Sequence, residues 1–162
     1  MRMFAAATVV ILICVPVLAQ QRGGGRGAAP PLPPTDTTNA TQLTAAELSA
    51  ALAKLGTERP NSTVRVFSIA PYTANIEHRT NQPQNASVHD AEAELFYVVD
   101  GSGTMVTGGK LVGDAMKTVE GGTPHKLNKG DFLIVPKGVP HWFSQIDGSV
   151  LNIMSFHLPM PN

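Results

Sequence analysis

The chain has 162 residues, with 12 basic and 12 acidic side chains and a formal net charge of zero. A balanced charge offers no clustered Lys and Arg to displace counterions from a polyanion, so nucleic-acid binding is excluded as a function class. The only cysteine is Cys14, which excludes an internal disulfide and a multi-thiolate metal site.

One arginine precedes a continuous apolar run from Phe4 to Ala19, which is short for a bilayer span, carries Pro16 near its end and closes on small residues. This pattern predicts a secretory signal peptide over residues 1–19, and hence export to a periplasm or to the medium. Ile13 before Cys14 is the wrong residue for a lipid-attachment signal. Cleavage removes Arg2 and Cys14, leaving 11 basic residues against 12 acidic ones, net −1, and no thiol or membrane anchor in the mature protein. Residues 20–42 are rich in Gly and then Pro, cannot bury enough apolar surface to offset their ordering entropy, and are expected to form a disordered linker.

Residues 43–59 open with Thr44 and Glu47 in capping-box spacing. Leu48, Leu52 and Leu55 follow at helical period, with Gly56 as a stop. The expected short helix covers an opening or a face of the domain behind it. That domain, residues 60–162, changes to strand period: 64–70, 72–77, 87–89, 95–99, 104–107, 125–127, 132–135, 141–145 and 150–157 are short apolar-rich runs separated by Gly, Pro, Asn and Asp. About nine strands in roughly 100 residues predict an all-β domain, an antiparallel barrel or double sheet. Residues 108–122 are Gly-rich and are read as a loop beside the barrel mouth, where specificity could lie. Both faces of 95–99 are apolar, so this strand is expected to be covered outside as well as inside, by a second copy or by an N-terminal strand of the same chain.

The stretch 130–145 joins a Gly-Asp turn, the apolar run 132–135, a stiff corner from Pro136 to Pro140 and then His141. Proline fixes φ at both ends of that corner, so backbone geometry aims the imidazole. Gly130, Pro136, Gly138 and His141 fall on G-x5-P-x-G-x2-H-x3-N, with Gln145 where Asn is usual. Upstream, His89, Glu94 and Gly101 fit the later part of G-x5-H-x-H-x3,4-E-x6-G, with Ser87 at the place of its first His and no leading Gly. In these two spaced signatures the chain resembles the cupin superfamily.

The resemblance implies a jelly-roll barrel in which His89, Glu94 and His141 bind a divalent transition metal: Fe, Mn, Ni, Cu, Co or Zn. Two imidazoles and one carboxylate are also the donor set that leaves open positions on a redox metal. Ser87 is a poor ligand, and water or substrate would stand in its place. Residues expected around the centre are Gln145 and Phe143, sharing a face with His141, together with Phe96 and with His157 as a supplementary ligand from the last strand. Phe96, Val98, Met105 and Met154 are expected as apolar wall, which suits a small organic ligand. Two function classes stay open. One is a metal-dependent enzyme of dioxygenase, oxidase or isomerase type. The other is a non-catalytic module that captures a small ligand, with the same polar groups hydrogen-bonded and metal-free. A homodimer is common in the resembled family.

Overall fold

The structure is a computed structural model that describes residues 34–161. The expected signal peptide and most of the expected linker lie outside them. Among the described residues a single helix, α1 (Ala45–Leu52), precedes ten strands. They are β1 (Asn61–Ile69), β2 (Tyr72–Thr80), β3 (Glu92–Asp100), β4 (Ser102–Thr107), β5 (Lys110–Val112), β6 (Thr118–Glu120), β7 (Thr123–Asn128), β8 (Phe132–Val135), β9 (His141–Ile146) and β10 (Val150–Pro159).

The capping box of α1 forms as its sequence dictates. Glu47 N–H donates to Thr44 Oγ at 3.2 Å, and Thr44 N–H donates to Glu47 Oε2 at 2.8 Å, satisfying two of the otherwise orphaned N-terminal donors. The helix ends before Gly56, because its last turn tightens into three-residue bonds from Lys54 N to Ala51 O and Leu55 N to Leu52 O. Ala51 on the apolar stripe is buried, while Leu48, Leu52 and Leu55 are half-buried.

The strands form a five-stranded sheet in the order β1-β2-β10-β3-β8 and a three-stranded sheet in the order β7-β4-β9, with every ladder antiparallel. The molecule is a jelly-roll barrel. Between the sheets lie Phe96 and Val98 of β3, Met105 of β4, Leu127 of β7, Val135 of β8, Phe143 and Ile146 of β9, and Leu151 and Ile153 of β10. Strand alternation turns one face of each inward. Burying a residue such as Phe96, only 1% exposed, contributes about 1.5–3 kcal/mol relative to leaving it in water.

Polar side chains occupy the interior on both sides of this apolar middle. Near the start of β10, Arg79 forms an ion pair with Glu77 at 2.5 Å, donates to Gln84 Oε1 at 3.0 Å and lies over the Phe143 ring at 4.6 Å. Toward the end of β10 the interior holds histidines and carboxylates.

Four sequence expectations are corrected by the structure. Residues 108–122 are not all loop, because β5 and β6 pair as a two-stranded hairpin; most of the glycines fall in the turns that flank these strands. Residues 87–89 form no strand, only a single bridge between Ser87 and His141. Met154 is not wall: it pairs with Ile76 and Tyr97 on the outer face, while its neighbours Ile153 and Ser155 point inward. Gln145 does not share the inward face with His141, as explained below.

Candidate metal centre

Each side chain of the centre is aimed by a different piece of backbone. His141 opens β9 directly after the Pro136–Pro140 corner. There Gly138 takes φ 76°, a left-handed conformation that a Cβ would disfavour. The Gly138 N–H donates to His89 O at 2.8 Å, and Ser87 and His141 exchange two backbone bonds of 2.9 Å. The corner thus carries His141 and also pins the segment bearing His89. Glu94 is the third residue of β3, and the register of β3 with β10 places His157 directly opposite it.

Three imidazole Nε2 atoms meet at the Glu94 carboxylate: His89 at 3.1 Å, His141 at 3.2 Å and His157 at 3.6 Å. His89, Glu94 and His157 each offer a ligand atom within 4.8 Å of the others; His141 lies outside that grouping and meets it at Glu94 Oε2 alone. The other ring nitrogen of two of these histidines faces an acceptor: Nδ1 of His157 lies 2.6 Å from Glu92 Oε1, and Nδ1 of His141 lies 3.2 Å from Val139 O. An acceptor there requires the proton on Nδ1, which leaves the Nε2 lone pair facing a carboxylate. Lone pair against carboxylate is unfavourable unless a second proton or a cation lies between them.

A cation fits. Ligand bonds of about 2.0–2.2 Å put neighbouring donor atoms about 3–3.5 Å apart, close to the 3.1 and 3.2 Å that separate Glu94 Oε2 from Nε2 of His89 and of His141. Neither Glu92 nor Glu94 is paired with Lys or Arg among the described residues; their ion-pair partners are the histidines alone. Two carboxylates and three imidazoles complement a divalent ion. Burial pushes the Glu94 carboxyl up, but the hydrogen bond to His141 and the charges of His141, His157 and His89 outweigh it, so its pKa stays below the ordinary 4.5. The side chains of Glu94 and His141 are 5% and 7% exposed and form the floor. Those of His89, His157 and Glu92 are 22–30% exposed and form the open side.

The structure brings together all three sequence-predicted ligands and places His157, expected as a supplementary ligand, beside them. Phe96 and Phe143 lie under the centre as expected: Phe96 sits edge-on to His141 at 5.9 Å between centroids and to Phe143 at 6.0 Å. Ser87 lies beside His141 through their backbone bridge and is exposed.

Gln145 is exposed and donates to Asp147 Oδ1 at 3.0 Å. The cause is a register shift between β4 and β9, in which Met105 faces Phe143 and Thr104 faces Gln145. The extra residue, Ser144, reverses the alternation, so Ile146 rather than Gln145 turns inward. Sequence reasoning also passed over Glu92, which alternates inward with Glu94, and Thr107. The latter lies opposite His141 and bonds His125 Nε2 at 2.9 Å.

Residues 73–155 match the family model of the cupin domain. The chain belongs to the cupin superfamily. No curated protein matches its sequence. Solved structures similar to this cupin include a Bacillus halodurans protein, at 12% identity and TM-score 0.55, covering 79% of this chain and 88% of that one. The cupin domain of Schizosaccharomyces pombe Cnp3 is similar at 13% identity and TM-score 0.53, covering 67% of this chain and 72% of that one. A Thermus thermophilus protein is similar at 17% identity and TM-score 0.52, covering 68% of this chain and 95% of that one. At these identities the likeness is one of fold, and the function of this cupin rests on its own residues.

Proposed function

We propose that this cupin holds a divalent transition metal on His89, Glu94, His141 and His157 and acts there on a small organic molecule, as a dioxygenase, oxidase or isomerase. The observation that carries the reading is the convergence of three imidazole Nε2 atoms on one carboxylate, two of them with Nδ1 tied to an acceptor. When bound, the metal polarises an oxygen of the substrate or supplies redox chemistry, according to whether it is Zn or one of Fe, Mn, Ni, Cu and Co.

The chain's own residues do the rest. Glu94 brings negative charge to a floor from which Phe96 and Phe143 exclude water. His89 and His157 present lone pairs from the open side. The exposed Ser87 leaves room for a substrate at the rim. An apolar floor with a few convergent polar groups favours a small oxygenated compound over a polymer.

Two wider proposals accompany this reading. The apolar segment from Phe4 to Ala19 supports export, which N-terminal sequencing of the protein from the periplasmic fraction or medium tests. The apolar outer face at β8 supports a homodimer, taken up below.

The function is tested by quantifying metal in natively purified protein and by screening small oxygenated compounds by thermal shift on the loaded protein and on Glu94→Ala. The reading expects metal in the wild type, its loss in Glu94→Ala, and ligand shifts that require the metal. Ligand shifts of equal size with and without metal contradict a metalloenzyme and leave a capture module.

A further inference from the structure

The strand alternation that turns Glu94 inward also turns Glu92 inward, one residue pair nearer the barrel mouth. Glu92 faces Pro159 across the β3–β10 ladder, and Glu94 faces His157. Diagonal neighbours across such a ladder are within reach of long side chains, and Glu92 makes this diagonal contact: its Oε1 lies 2.6 Å from His157 Nδ1. The same oxygen is 3.7 Å from His89 Nδ1. Two carboxylates on one face would repel, yet the structure places an imidazole between them. His157 has Nδ1 on Glu92 and Nε2 toward Glu94 at 3.6 Å.

We infer that Glu92 is a positioning residue of the centre: by accepting the Nδ1 proton of His157 it fixes that ring's tautomer and orientation, and so makes His157 a metal ligand. The inference rests on the proposed metal centre and adds a residue that neither sequence signature contains. His157 needs such a partner more than His141 does. His141 is packed at 7% side-chain exposure with a backbone carbonyl holding its Nδ1, whereas His157 is 22% exposed near the end of β10, where packing alone leaves the ring free to turn. A carboxylate on the outer nitrogen also makes the inner nitrogen a stronger donor to a metal. Glu92 therefore acts through His157 and not as a ligand itself.

The test titrates the folded, metal-free protein with Co(II) against a competing chelator while following the visible absorption of the bound ion. Wild type, Glu92→Ala, Glu92→Gln, His157→Ala and the Glu92→Ala/His157→Ala double variant are compared. Glu92→Ala is expected to weaken Co(II) binding about 10- to 100-fold and to shift the Co(II) bands. Glu92→Gln, which keeps a neutral acceptor, should lose less. Once His157 is already Ala, adding Glu92→Ala should cost little more, because the residue it acts through is gone.

An equal loss in both backgrounds overturns the inference, since it would make Glu92 a ligand or a general charge effect. Unchanged affinity and spectrum in Glu92→Ala overturn it too, while leaving the centre standing. A wild type that binds no Co(II) removes the centre and this role together. Thermal unfolding of the metal-free variants separates these results from misfolding.

Discussion

At the residue scale, Glu94 is the group on which the site turns, because all three imidazoles are disposed around it. A carboxyl held below its ordinary pKa binds fewer protons in the folded than in the unfolded protein over the window between the two values. The stability it contributes is complete above the ordinary 4.5 and is lost as pH falls through the lower folded value. Acid unfolding of the metal-free protein followed by circular dichroism should show this loss. Glu94→Gln should flatten the slope of stability against pH below 4.5. A variant with the wild-type slope would show that the imidazoles do not hold the carboxyl down. Metal binding should weaken as pH falls, since protons compete with the metal for its imidazole and carboxylate donors.

His89, Glu94 and His141 were legible in the sequence because each sits at a fixed distance from a turn that constrains it. His157 was legible only as a histidine on the last strand, since its partner Glu94 is 63 residues away and only the β3–β10 register joins them. Glu92 carried no mark at all. An acidic residue two before another on a strand is as consistent with a solvated edge as with a half-buried partner of a histidine, and the alternation had to be anchored by the fold first.

At the scale of elements, the corner between β8 and β9 does the most for the site. Gly138 has open space where a Cβ would lie but a φ of 76°, so Gly138→Ala strains the backbone without a clash. The substitution should cost about 1–2 kcal/mol, read as a lower chemical-denaturation midpoint. It should also weaken metal binding, because the same residue's N–H holds His89 O. An unchanged midpoint would show that the corner relaxes freely.

The corner was readable from Pro136, Gly138 and Pro140. The β9 bulge was not, because Ser144 and Gln145 are as acceptable in a straight strand as in a bulged one, and the misplacement of Gln145 followed from assuming strict alternation. The β5–β6 hairpin escaped for a related reason. Three-residue strands between glycine turns leave too short a run for any period to show.

At the scale of the whole molecule, the outer face of the five-stranded sheet is unevenly covered. Val64 and Ile76, at the β1–β2 side, are buried. Across the sheet at β8, an edge strand, Phe132 is 66% and Ile134 55% exposed. They flank Tyr97 and Leu95 in register, and the Tyr97 and Phe132 rings lie 4.5 Å apart. An apolar face running to an edge that is unpaired among the described residues favours burial against another sheet, and a second copy docking there by two-fold symmetry meets that need. Sedimentation of the chain lacking residues 1–33 should show a dimer that Phe132→Asp dissociates. A monomer at all concentrations would contradict it.

The jelly roll itself was legible from strand count and spacing, since closing so many short strands around one apolar middle leaves few architectures. The claim beneath the whole account is that the donors at the mouth of this barrel share one metal ion. Anomalous scattering from crystals soaked in Co(II) or Zn(II), collected on either side of the absorption edge, tests it most directly. The account predicts one strong peak within bonding distance, about 2.0–2.2 Å, of Glu94 and of Nε2 of His89, His141 and His157, and no such peak in Glu94→Ala crystals. A barrel without a peak in the wild type, its imidazoles hydrogen-bonded to Glu94 alone, would contradict it.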